Sequence, residues 1–188
     1  MDLPRALALV VSVLFGLISV LLLLRILLQA LHADPFNPFS RALRELFAPV
    51  LNPLARLLPP WRGIHFAAIA LLIALQMLRW LIVGALQGHA FGFLALSLLG
   101  LYGTLDLTLS VLFWTIILAI LLSFIAPHGE HPLVPITRAL TEPILSPFRR
   151  LLPPTGPLDF SPVLAILSIE LLRLLVVRPL YELAIATA

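Results

Sequence analysis

Two arginines stand inside apolar stretches that offer them no water. Arg173 has Glu170 three residues before it, and Arg79 has Gln76 at the same spacing. A charged side chain at the centre of a hydrocarbon layer costs about 2.5–3.5 kcal/mol on insertion scales, so each arginine needs a partner. The i, i+3 spacing puts Glu170 and Gln76 on the helix face of their arginine. Asp106 adds an acid at the start of another apolar run. Gln76, Arg79, Asp106, Glu170 and Arg173 are consistent with two chemistries: an interhelical hydrogen-bond clamp, or a polar seam that handles ions along a cavity. The clamp is favoured, because one Arg–Glu and one Arg–Gln pair suffice for packing. A cation path wants more unpaired carboxylate than Glu170 and Asp106 supply.

A second group of cations borders apolar LLPP segments: Arg56, Arg149 and Arg150, with Arg41, Arg44 and Arg138 nearby. Guanidinium matches phosphate oxygens in a bidentate fork, so anionic lipid headgroups or a protein partner are their expected contacts. The bland alternative is topology-setting charge that also caps carbonyls of the link. Without aromatic interleaving or a basic cluster, nucleic acid is not expected. His128, His131 and Glu130 share one loop but lack a fourth ligand for zinc. No Gly-rich phosphate loop, Ser/His/Asp order or carboxylate pair points to catalysis, so the chain is read as a non-enzyme without a cofactor.

Composition sets the surroundings of these residues. The 188 residues are 61% hydrophobic and 11% charged, with a mean hydropathy of +1.11. Soluble domains carry about 25% charged residues, so this chain belongs in a membrane. There is no Cys, which excludes disulfides and thiol chemistry, and the sequence spells all 12 basic residues as Arg.

Four apolar runs read as spans: 6–31, 64–87, 105–125 and 161–183. In the first, Arg25 is close enough to one end to snorkel to the headgroups. Pro35 and Pro38 are expected to stop that helix. Residues 39–48 place Phe39, Leu43, Leu46 and Phe47 on one helical face and Ser40, Arg41, Arg44 and Glu45 opposite, predicting a short interfacial helix. Pro49, Pro53, Pro59 and Pro60 then predict a broken, stiff link. Residues 88–104, with four glycines, read as a connection or re-entrant turn. Ser161 and Pro162 supply an N-cap and N1 proline for the last span, which Pro179 should kink or end. Gly84 and Gly88 form a GxxxG that reads equally as a packing face or as end-of-helix glycine.

The link recurs. PVLNPLARLLPP at 49–60 and PILSPFRRLLPP at 143–154 agree at eight of twelve positions with a constant offset of 94. Pro53 falls on Pro147, Arg56 on Arg150, Pro59 on Pro153 and Pro60 on Pro154. Arg44 and Arg138, and Arg79 and Arg173, keep the same register. The chain is therefore a tandem duplication, with units 1–94 and 95–188. Two spans per unit give both copies the same topology, and a pseudo-two-fold axis along the membrane normal is expected. Both links lie on one side and hold most of the arginines, whereas 88–104 holds none. The positive-inside rule puts the links in the cytoplasm and the termini outside, although Arg5 and Arg178 lie near the ends.

These residues resemble the YggT family of small bacterial membrane proteins, related to the YlmG proteins of Gram-positive bacteria and to chloroplast homologues. The family repeat runs NPF-x-R…P-x-L-x-P-x-R-R-L-L-P-P-x-G-x-x-D-x-S-P. Here Pro143, Pro147, Arg149, Arg150, Leu151, Leu152, Pro153, Pro154, Gly156, Asp159, Ser161 and Pro162 match it. The first copy keeps Asn37, Pro38, Phe39, Arg41, Pro49, Pro53 and Arg56, then departs at Trp61, Arg62, Gly63 and His65. The resemblance implies a multi-pass bacterial inner-membrane protein. It also implies links to osmotic-stress tolerance and, in other lineages, to cell division, envelope assembly and nucleoid placement.

The expectation is an all-α polytopic protein of four spans in two parallel repeats, each with an interfacial helix and a Pro-rich link. Its expected role is a scaffold or modulator of a membrane partner, or of a second copy, in envelope or osmotic homeostasis. The alternative is a small channel or transporter with a path near Arg79 and Arg173.

Overall fold

Helix α1 (Leu3–Ala30) is apolar on every side, and much of it turns outward: Leu9 is 67% and Val13 61% exposed. Such a surface suits hydrocarbon, not water. The computed structural model describes residues 3–34, 36–58, 65–125, 131, 133–151 and 159–187, and the regular elements among them are all helical. Among the described residues, three helices are long and apolar enough to cross a membrane: α1, α3 (Phe66–Leu86) and α4 (Phe93–Ile125). The two repeated link helices are α2 (Pro38–Leu57) and α5 (Leu133–Leu151). The chain ends in α6 (Ser161–Leu172), a π-helical turn (Arg173–Val177) and α7 (Arg178–Ala186).

Helix α1 stops before the prolines expected to stop it. His32 adopts φ 52°, Ala33 N–H bonds Leu28 O at 2.9 Å, and His32 N–H bonds Gln29 O at 3.2 Å. This is a Schellman-type ending with His32 in the left-handed position usually given to glycine.

The expected break at the prolines is corrected. Helix α2 runs through Pro49 and Pro53, and α5 runs through Pro143 and Pro147. Each pair is spaced by four, so both prolines share the outward face, and all four are exposed. The carbonyls left without a donor therefore face polar surroundings instead of the core. An interior proline costs about 3 kcal/mol. Burial of Leu43, Phe47 and Leu51 on the opposite face, at about 1.5–3 kcal/mol each, offsets this. Pro59, Pro60, Pro153 and Pro154 lie outside the described residues.

The connection expected over 88–104 is also mostly helix, since α4 begins at Phe93 and runs 33 residues. At 1.5 Å per residue it is about 50 Å long, more than a bilayer core needs. Gly100 and Gly103 are not turn residues; they let α3 approach. A Cβ on Gly100 would meet the Met77 side chain and lie 3.2 Å from Ile73 O, and one on Gly103 would lie 2.9 Å from Gln76 Oε1. The turn itself is at Gly88, with φ 81°, while Gly84 faces Phe91 of that same turn. The GxxxG is thus a helix ending.

Ahead of Pro179, Arg178 N–H bonds Arg173 O, five residues back. The wider π turn gives the proline ring room that an α turn denies it.

Register holds in three dimensions. Leu22, Leu51, Leu71 and Leu75 pack together in one core cluster, and Ile116, Leu145, Ala165 and Ile169 form another. Each member of the second is 94 residues after its counterpart. The caps agree as well: Phe39 N–H donates to Asn37 Oδ1 at 2.9 Å, and Leu133 N–H to His131 Nδ1 at 3.3 Å. Leu28 of α1, Leu43 of α2 and Ile136 and Leu140 of α5 share a third cluster, so α2 and α5 lie together at one end of the bundle.

The expected two-fold is not there. Helix α3 packs on α4, but among the described residues no α6 or α7 contact reaches α1. A two-fold would have reproduced that contact. The units are joined head to tail, with α4 central.

Candidate functional site

The polar seam is assembled on α4. Arg173, at the first residue of the π turn, reaches Asp106 Oδ1 with Nε at 3.1 Å, Glu170 Oε1 with Nη1 at 3.0 Å, and Ser110 Oγ with Nη2 at 2.9 Å. Its partners thus come from its own helix and from one face of α4, where Asp106 and Ser110 are four residues apart. The Arg173–Glu170 pair was legible from spacing. Its interhelical partners were not, because nothing in the sequence specifies which α4 residues Arg173 meets.

Arg79 does not form the mirror image. Its guanidinium lies 5.4 Å from the centroid of the Trp80 ring, and its charge acts on Tyr102 and Asp106 across the α3–α4 interface. Trp80, Tyr102 and Tyr181 cluster with centroid separations of 5.0–6.3 Å, tying α3, α4 and α7 together. Gln76 is 1% exposed beside Gly103, and neither its amide oxygen nor its nitrogen finds a partner. It does not bond Arg79, so the expected Arg–Gln pair is absent. Asp106 pairs with Arg173, not with Arg79. Sequence offset explains the asymmetry: α1 has Ser12 and Gly16 where α4 has Asp106 and Ser110.

At the other end of the bundle, Arg149 is held by two acids. Its Nε donates to Asp159 Oδ2 at 2.9 Å, and its Nη1 to Glu142 Oε1 and Oε2 at 2.9 and 2.8 Å. Asp159 Oδ1 accepts Ser161 N–H at 2.9 Å. This carboxylate therefore starts α6, in the role expected of the Ser161 hydroxyl. Arg149 fastens α5 to the start of α6, and its charge is spent internally. Arg56, Arg138 and Arg150 are exposed with no ion pair among the described residues. Arg41 pairs with Glu45 at 2.7 Å on the exposed face of α2, where Arg44 also projects. Of the histidine cluster, His131 is occupied as a cap, and His128 and Glu130 lie outside the described residues. No group of metal-ligating side chains occurs among the described residues.

Burial would raise the Asp159 carboxyl, but hydrogen bonds from Ser161 and Arg149 outweigh it and hold the group below the usual carboxylate range. A depressed folded value contributes stability above the unfolded pKa, and that stability is lost as pH falls through the folded one. The protection of the Ser161 amide, its exchange rate taken relative to the intrinsic rate at each pH, should therefore fall on acidification below the ordinary carboxylate range. In Asp159→Asn that protection should be low already at neutral pH and show little further change. Wild-type protection constant across that window would show that the carboxylate does not hold the junction.

Arg25 corrects another expectation. It does not snorkel: it is 9% exposed, folded inward between α1, α2 and the start of α3.

The family model described as CCB3/YggT matches residues 4–86 and again 98–180, the same offset as the sequence repeat. An uncharacterised protein of Pseudomonas aeruginosa is 34% identical over 91% of this chain and 88% of its own length. An uncharacterised protein of Vibrio alginolyticus is 31% identical over 88% of this chain and 90% of its own. The uncharacterised protein YggT of Escherichia coli K12 is 29% identical over 90% and 88%. No solved structure matches.

Proposed function

The chain belongs to the CCB3/YggT family of membrane proteins, and we propose that it is a non-enzymatic inner-membrane factor that scaffolds or modulates a membrane partner in envelope or osmotic homeostasis. In this reading α6, the π turn and α7 make a fourth crossing, and the units divide as 1–94 and 95–188. The interfacial helices α2 and α5 lie at the cytoplasmic leaflet, with the termini in the periplasm. The observation that carries it is the set of partners around Arg173. A guanidinium hydrogen-bonded to Glu170 and Ser110 and ion-paired with Asp106 is a clamp between helices, its charge met by two acids. The exposed cations Arg56, Arg138 and Arg150 then form the surface offered to anionic lipids or a partner.

The second reading, a small channel or transporter, draws on Gln76, whose buried unpartnered amide would suit a water file between α3 and α4. Reconstituted vesicles separate the two. A scaffold gives background ion flux for wild type and Arg173→Gln alike, while Arg138→Gln/Arg150→Gln loses partners captured from native membranes. Wild-type flux above background that changes in Arg173→Gln, with the protein still assembled, would transfer the assignment to the channel.

A further inference from the structure

At the end of α1 lies a cavity of about 280 Å³ lined by Arg25, Leu28, Gln29, His32, Ala33, Ser40 and Arg44. Arg25 is 9% exposed, yet its Nε and Nη1 have no hydrogen-bond partner among the described residues. The Ser40 hydroxyl, on a residue 7% exposed, is also unpartnered. A buried guanidinium without an anion is among the most expensive arrangements a fold can hold. The charged neighbour whose field acts on Arg25 is Arg44, of the same sign. Gln29 Nε2 lies 2.6 Å from His65 Nε2, a bond that ties the cavity wall to the start of α3.

We propose that this cavity is a binding site for a phosphate-type oxyanion, held by Arg25 through paired guanidinium hydrogen bonds and by the Ser40 hydroxyl. Guanidinium and phosphate meet in a two-point fork, and the hydroxyl donates to a third oxygen. The volume admits a phosphate with a small polar substituent. The site lies at the end of a membrane-spanning helix and beside an interfacial one. The same chemistry therefore arrives either on a lipid headgroup or as free phosphate. The site belongs to the first unit alone: Arg25 and Ser40 correspond to Ala119 and Val134 in the second. It does not include Arg56, Arg138 or Arg150, and it is independent of whether the protein is a scaffold or a channel.

The test is ligand binding by the full chain, delipidated in a neutral detergent. Inorganic phosphate, phosphatidylglycerol in mixed micelles and phosphatidylcholine in mixed micelles are added separately, and the rise in melting temperature is followed against concentration. Saturable stabilisation by inorganic phosphate, or by phosphatidylglycerol well beyond phosphatidylcholine, is expected; the first identifies a soluble ligand and the second a lipid. Arg25→Gln should weaken that binding by roughly tenfold or more, and Ser40→Val by several-fold, while Arg178→Gln, outside the lining and paired with Glu182 on α7, leaves it unchanged. Ser40→Val keeps the test decisive should Arg25→Gln not fold. The proposal is overturned if no probe binds saturably, or if binding survives unchanged in the folded variants of Arg25 and Ser40.

Discussion

Arg173→Met is expected to lower stability by about 2 kcal/mol, read as an earlier midpoint for unfolding in mixed detergent micelles. The substitution removes the guanidinium while Asp106 and Glu170 stay where they are, facing each other's charge with no cation between them. Breaking a fully buried pair costs about 3–5 kcal/mol. The figure here is smaller because Arg173, Asp106 and Glu170 are a third to a half exposed, at 33%, 37% and 47%. The triple variant Arg173→Met/Asp106→Asn/Glu170→Gln should regain most of the loss, since removing all the charges also removes the need to pair them. A single variant as stable as wild type would show that Arg173 does not fasten α6 to α4.

Gly100→Val should destabilise by a similar amount, about 2 kcal/mol, through overpacking at the α3–α4 crossing. Met77 is flexible and can withdraw, but the added carbon also lies 3.2 Å from Ile73 O, and backbone cannot. The matched control is Gly16→Ala on α1. Nothing lies within 4 Å of a Cβ there, and replacing a helical glycine by alanine stabilises by roughly 0.5–1 kcal/mol. The two substitutions should shift the unfolding midpoint in opposite directions. Equal effects would mean that α3 and α4 are not held at the close approach described.

The sequence exposed whatever depended on local order. Repeat spacing located the related helices α2 and α5, and i, i+3 spacing paired Arg173 with Glu170. What stayed hidden depended on which helices become neighbours. Asp106 becomes the third member of the clamp only because α4 lies against the π turn. Arg25 has an end-of-helix position suited to snorkelling, and only the packing of α2 and α3 over it turns it inward. The prolines misled for a different reason. Their penalty is local and readable, whereas the burial of Leu43, Phe47 and Leu51 that overcomes it is tertiary. Glycines in 88–104 read as flexible, yet Gly100 and Gly103 serve close contact between helices, and a single sequence does not separate those two uses.

The missing α7–α1 contact carries a consequence for assembly. A pair of like modules joined without a dyad has two unlike flanks, one offered by α1 and one by the last helix. If copies associate by reusing the internal junction between α3 and α4, each gives its trailing flank to the leading flank of the next. Such growth closes into a ring or extends as a row, and a symmetric dimer would have to be built from some other surface.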